Sequence, residues 1–307
     1  MYKYYKTLDS KITQIDEFQP GCWINIVNPT HEELTYLSES HNIDMGFLKA
    51  PLDIEETSRV EAEDDQTLVV IDVPTTETND NKVVFETLPL ALIITKDCFV
   101  SVCTKETSSI NSFIEGNVRN VYTNLKTRFL MQILYKVSTR FLFYLKQIDR
   151  RSANIEKELH KSLKNKELIQ LLDLEKSLVF FSTSLKANES TIKRLQRASY
   201  VNMYEEDEEL IEDVLIETKQ AIEMSNIYSS ILSGTMDAFA SVISNNLNIV
   251  MKVLTSITIL MAVPTMIASF YGMNVSSLPF ANFYFPFGLS VVTTVVVAFF
   301  LNKRGML

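Results

Sequence analysis

From Val253 through Asn302 the chain carries no charged residue. That stretch limits what the chain can fold into more than any other feature. It covers most of two apolar segments, Ile249 to Tyr271 and Phe283 to Leu301. Each is long enough to cross the hydrocarbon core of a bilayer, which takes about 20 residues of helix. A hairpin buried in a soluble core would show a charged face on at least one helix, and neither segment has one. Lys252 flanks the first span, and Lys303 and Arg304 follow the second. The joining loop, residues 272–282, holds Pro279 and no charge. The positive-inside rule therefore places the loop outside and both termini inside.

The remainder is acidic, with a formal net charge of −9. Nucleic-acid binding needs basic patches, so no nucleic-acid partner is expected. Cys22, Cys98 and Cys103 are odd in number and irregular in spacing, which is neither a disulfide framework nor a paired metal-ligand motif. They fit a reducing compartment. The N-terminal Met1-Tyr2-Lys3-Tyr4-Tyr5 has no apolar core followed by a small-residue cleavage site, so no signal peptide is expected.

Residues 1–104 read as an α+β domain, at roughly 100 residues a common domain size. Trp23 to Val27, Thr67 to Val73, Leu88 to Ile94 and Cys98 to Cys103 are apolar and rich in branched residues, as strands are. Thr76 to Asn81 reads as a polar hairpin tip. Thr30 predicts a helix N-cap, with Glu33 completing a capping box. Between Pro89 and Pro264 there is no proline, and between Gly116 and Gly234 no glycine. Without those breakers, residues 105–248 predict long helices. Breaks are expected near Asn165-Lys166 and near Tyr200 to Tyr204, with a third helix starting near Glu205.

In that third helix Leu210, Val214, Ala221, Met224, Tyr228, Ile231, Thr235, Ala238 and Val242 recur at steps of three, four or seven. This is either a heptad seam, interrupted by Glu217, or the inner face of a helix packed on its own domain. Running from Glu205 to Tyr271, the helix would be a rod of roughly 100 Å. A single chain cannot bury such a rod, so self-association is expected. In the first span Asn248, Met251, Thr255, Thr258, Ala262, Thr265 and Ser269 share one face. Small and polar residues there suit helix packing, hydroxyls bonded back to the backbone, or an aqueous path lined by several copies. The second span is dominated by Val, Phe and Leu, as a lipid-facing helix should be.

At the outer end of the first span stands Tyr271-Gly272-Met273-Asn274. With two C-terminal spans, a short loop and a basic tail, this closely resembles the CorA family of divalent-cation transporters. Leu174-Glu175-Lys176-Ser177-Leu178 and Thr183-Ser184-Leu185-Lys186-Ala187-Asn188 carry the same resemblance, which covers the whole chain. It implies a plasma-membrane homopentamer with a funnel-shaped cytosolic domain, stalk helices (105–248), a pore-lining span (249–271), an outer loop (272–282), a second span (283–301) and a basic tail (302–307). It implies that Gly272, Met273 and Asn274, after Tyr271, form the outer selectivity ring, that Asn248 forms an inner polar ring, and that Met251 and Leu254 form an apolar constriction. The loop from Val275 to Asn282 lacks the acidic residue often found after this motif, and the basic tail is only Lys303 and Arg304.

The resemblance also implies that cytosolic Mg²⁺ both passes through the pore and, bound between subunits, closes it. Asp213 is the expected stalk ligand, with a partner from Glu61, Glu63, Asp64 or Asp65. The ordinary meaning of such acidic runs, including Glu205 to Glu209, is a solvated face. His31, His41 and His160 are scattered, and no nucleophile–base set or Gly-rich phosphate loop is present, so an enzyme is not expected. Three functions remain open: a Mg²⁺ channel tolerating Co²⁺ or Ni²⁺, a Zn²⁺ transporter of the ZntB branch, and a membrane-tethered coiled-coil scaffold.

Overall fold

A computed structural model describes residues 1–79, 82–162, 165–197, 200–201, 204–274, 279–280, 282 and 283–306. The chain divides into two compact units, Met1–Gly234 and Thr235–Leu307.

The first unit is built on one sheet, ordered β2-β1-β3-β7-β6-β5-β4. Its strands are β1 (Tyr2–Leu8), β2 (Lys11–Ile15), β3 (Trp23–Val27), β4 (Arg59–Glu63), β5 (Gln66–Asn79), β6 (Lys82–Ile94) and β7 (Phe99–Cys103). β3 and β7 pair in parallel, and the other neighbours are antiparallel. Alternation divides the side chains between two faces. Ile24, Ile26, Val100 and Val102 join Leu34, Leu37, Phe47 and Leu48 in one core. The last four come from α1 (His31–His41) and α2 (Met45–Lys49).

On the opposite face Phe129 meets Trp23, Phe99 and Phe113, with ring centroids 5.2, 4.8 and 5.5 Å away. Phe113 lies on α3 (Ser108–Ile114), and Phe129 on α4 (Lys126–Ser162). α5 (Asn165–Arg197) packs on β5 and β6. Its Asn188 clamps β5: the amide oxygen accepts from Asp72 N at 2.9 Å, and the amide nitrogen donates to Asp72 O at 2.8 Å.

The capping box forms, with Thr30 N donating to Glu33 Oε2 at 2.9 Å and Glu33 N to Thr30 Oγ1 at 3.3 Å. The helix breaks fall close to the expected places: α4 ends at Ser162, and Asn165 and Lys166, expected in the break, open α5 instead, while α6 (Glu205–Tyr271) starts at Glu205 as expected. Two expectations change. Thr76 to Asn79 belong to β5 and extend the hairpin, while positions 80–81 of the expected tip lie outside the described residues. The acidic run Glu61 to Asp65 is itself a hairpin, in which Asp64 and Asp65 take φ of 47° and 62°. Two successive positive φ values are the type I′ pattern, which matches strand twist. Asp9 and Ser10 repeat it between β1 and β2, with φ 47° and 62°.

The α6 seam also shifts in phase. The face buried within the first unit runs through Asp207, Ile211, Val214, Thr218, Ala221, Ser225 and Leu232. Val214 and Ala221 belong to both patterns, but Ile231, Ala238 and Val242 are exposed. This part of α6 is a helix packed on its own unit. The polar members are paired: Thr218 Oγ1 lies 2.7 Å from Ser138 Oγ of α4, and Ser225 Oγ donates to Leu178 O of α5 at 3.0 Å.

The second unit holds the C-terminal part of α6 and α7 (Tyr284–Lys303), both long and apolar enough to cross a membrane. α6 continues through Pro264. A membrane helix tolerates proline where local adjustment or neighbours satisfy the freed carbonyl. Ser256 is buried, and its hydroxyl donates to Met306 O at 2.7 Å, closing one end of the pair.

Candidate ion-conducting site

α6 ends at Tyr271, and Gly272 opens the turn that follows. Gly272 N donates to Ala268 O at 2.9 Å, and a Cβ at this position would lie 3.2 Å from that same oxygen. Met273 N reaches Phe270 O at 3.5 Å, and Met273 and Asn274 stand exposed beyond the turn. The C-terminal end of a helix carries partial negative charge on carbonyls without intrahelical partners. An exposed amide oxygen at Asn274 adds a neutral acceptor at that same end. Both features are electronegative, and neither involves a carboxylate.

The polar stripe below is exposed along its whole length at Asn248, Met251, Leu254, Thr255, Thr258, Ala262, Thr265 and Ser269. Its threonines bond back one turn: Thr255 to Met251 O at 2.7 Å, Thr258 to Leu254 O and Thr265 to Met261 O, both at 2.9 Å. The hydroxyl protons are thereby used, and the oxygens keep lone pairs that face outward. Such a surface offers acceptors and no charge. Lys252, Lys303 and Arg304 are exposed at the opposite end from Asn274.

The acidic candidates separate into two places. Glu63, Asp64 and Asp65 line a cleft of about 980 Å³ with Glu206, Asp207, Lys126 and Arg128. Asp207 is only 3% exposed, and its carboxylate accepts from Tyr204 N at 3.2 Å, as the third residue of a helix does in a capping box. Arg128 pairs with Glu206, and burial pushes the Lys126 ammonium pKa down. Glu61 instead pairs with Arg59 at 3.2 Å. Asp213 does not line the cleft. It lies with Glu217 near Tyr135, whose phenol pKa is raised by burial and then by those two carboxylates. One chain therefore does not bring Asp213 to the hairpin. Among the described residues, no three His, Cys, Asp or Glu side chains converge as a metal site. Glu206 and Asp207 were readable only as part of an acidic run. Their place in the cleft beside the β4–β5 hairpin is a through-space juxtaposition that no periodic signal shows.

All three cysteines are buried thiols. Burial raises the pKa of each, that of Cys98 to about 11. They remain protonated at neutral pH and are poor nucleophiles and ligands.

An α+β unit followed by two membrane-length helices joined by a short uncharged loop has the layout of a membrane transport protein. The model of the CorA-like Mg²⁺ transporter protein matches residues 19–304, and the chain belongs to that family. The cobalt/magnesium transport protein CorA of Methanocaldococcus jannaschii is 28% identical over 296 residues, covering 92% of this chain and 90% of that protein. The protein of the same description from Thermotoga maritima is 22% identical over 316 residues, covering 99% and 89%. The complete structure of the M. jannaschii CorA magnesium transporter superposes with a TM-score of 0.82 at 26% identity, covering 99% of this chain and 96% of that one. The ZntB cytoplasmic domain of Vibrio parahaemolyticus shares the fold at a TM-score of 0.58 and 13% identity, covering 80% of this chain and 97% of that one. Members of the family are membrane-embedded transporters of divalent cations, which sets the scaffold reading aside.

Proposed function

We propose that this chain conducts hydrated Mg²⁺ across the plasma membrane as a homopentamer, with both termini in the cytosol. The observation that carries this reading is the end of α6, where Gly272 turns the chain and leaves the Asn274 amide exposed beside the helix's negative pole. Mg²⁺ gives up its waters reluctantly. A ring of Gly272, Met273 and Asn274 from several copies, next to Tyr271, holds the ion through its water shell. Neutral oxygens bind weakly enough to release it, which conduction requires. Asn248 then forms an inner ring and Met251 with Leu254 a constriction that closes by dewetting, while Thr255, Thr258, Ala262, Thr265 and Ser269 line the path. None of these positions is a His, Cys, Asp or Glu, so the path lacks the imidazole and thiolate ligands that Zn²⁺ favours, and Co²⁺ or Ni²⁺ passes as a hydrated ion of similar character.

Closure is assigned to cytosolic Mg²⁺ held between Asp213 of one copy and the Glu61–Asp65 hairpin of the next. All these carboxylates are exposed and so reachable by a neighbouring copy. An ion that binds only the closed state stabilises it in proportion to its saturation. The test is cation flux into liposomes carrying the purified protein, measured with Mg²⁺, Co²⁺, Ni²⁺ and Zn²⁺ at matched gradients. Mg²⁺ flux that needs no proton gradient is expected. Zn²⁺ flux that exceeds it, or that requires protons, would move the chain to the zinc branch.

A further inference from the structure

The loop that carries the proposed ring has no charge with which to fix its shape. What ties it down is aromatic. Tyr271, the last residue of α6, donates its hydroxyl to Pro279 O at 3.3 Å, so one side chain bridges the two ends of the loop. Its ring lies 6.3 Å from that of Phe285 on α7, tilted by 53°. Phe285 in turn stacks on Phe280, with centroids 4.9 Å apart and planes 26° from parallel. Phe280 holds φ at 52°, a left-handed conformation that is costly for a bulky side chain and persists where surrounding contacts enforce it. The stack on Phe285 supplies such a contact.

From these contacts we infer that Phe285 and Phe280 are positioning residues for ion selection: with Tyr271 they form a clasp that fixes Gly272, Met273 and Asn274 against α7. The inference rests on the role proposed above for those three residues. Neither phenylalanine touches the ion. A neutral ring holds a hydrated cation only through hydrogen bonds of definite direction, so Asn274 must be presented at a set height and angle in every copy. A loop free at one end would spend part of the binding free energy on ordering itself. The clasp ties the end of α6 to Pro279, and through Phe285 to Phe280 and α7, before the ion arrives. In a chain with a carboxylate at the mouth, charge attracts at long range and tolerates a looser loop. Here geometry carries more of the capture, and the clasp provides it.

A stacked aromatic pair is worth about 0.5–1.5 kcal/mol beyond the area it buries, which corresponds to roughly two- to tenfold in an equilibrium. The experiment compares Phe285→Leu, Phe285→Tyr, Phe280→Leu and Asn274→Ala with the parent, all as full-length assembled protein in liposomes. It reads the half-saturating Mg²⁺ concentration and the Mg²⁺ to Ni²⁺ flux ratio separately from maximal flux. Phe285→Leu and Phe280→Leu are expected to raise half-saturation by about two- to tenfold and to compress the flux ratio, with Phe285→Tyr close to the parent. Unchanged half-saturation and ratio in both leucine variants, whether or not maximal flux falls, would overturn the inference and leave the rings as interfacial anchors. If those variants are unchanged while Asn274→Ala abolishes flux, the proposed ring stands and only the clasp falls. If Asn274→Ala conducts as the parent does, the ring itself is wrong and the clasp falls with it.

Discussion

The two stretches of α6 live under different rules. Up to Gly234 the helix buries one continuous face, and even its hydroxyls at Thr218 and Ser225 are satisfied by α4 and α5. Beyond it, among the described residues, only Phe239 and Ser256 are buried, and most apolar side chains stand exposed. In water that exposure would be prohibitive, at roughly 25 cal/mol for each Å². The first stretch is therefore stabilised by its own unit, and the second by surroundings a single chain does not supply: bilayer lipid and, in the proposed pentamer, other copies. The same helical repeat serves folding in one region and, in the proposed pentamer, lines the ion path in the other.

The widest gap between the regions is expected at two phenylalanines. Phe129 is fully buried among Trp23, Phe99 and Phe113, whereas Phe299 is 66% exposed. Phe129→Ala should destabilise the first unit by about 3–5 kcal/mol in denaturant unfolding of the detergent-solubilised protein. Phe299→Ala should leave that transition within about 0.5 kcal/mol of the parent. Equal effects would erase the distinction.

A polar contact should show the same locality. Asn188→Ala strips Asp72 of partners for its backbone N–H and C=O and removes the acceptor used by Ser58 at 2.9 Å. A loss of about 2–3 kcal/mol is expected in the same assay. Stability within error of the parent would show that water replaces the amide, and that α5 is held by its apolar face alone.

A smaller effect follows from Cys98. Burial raises its pKa from the ordinary 9.0 to about 11, so the folded state holds its proton more tightly than the unfolded chain does. The stability this contributes is fully present below pH 9 and is lost as pH rises towards about 11, with a magnitude on the order of 2 kcal/mol. Cys98→Ala should flatten that alkaline slope in pH-dependent unfolding. An unchanged slope would assign it to other buried groups, such as Tyr4, whose phenol pKa is also raised by burial.

The legibility of the sequence divides along similar lines. The charge-free tail, the capping box at Thr30 and the helix breaks were readable because each rests on local chemistry. β3 was readable from four apolar positions in five, interrupted only by Asn25, whose amide oxygen accepts from Ser101 across the sheet. The outer strands were not. β1, β2 and β4 are short and mixed in polarity, and their turns use Asp-Ser and Asp-Asp, which read as charge rather than as hairpins. The phase of α6 was missed because apolar periodicity cannot see Thr218 and Ser225, buried through hydrogen bonds. At the candidate site the motif and the stripe were legible as residue types on one face. The aromatic clasp was not, since it joins Tyr271 to Phe280 and Phe285 through space.

The most direct test of the proposed conduction path is Mg²⁺ uptake by liposomes carrying Asn274→Ala, with the oligomer verified by native mass measurement. Flux that falls to the level of empty liposomes while the assembly stays intact is the expected result, because the ring's amide oxygens would be gone. Mg²⁺ flux equal to that of the parent would contradict the account and place ion selection elsewhere along α6.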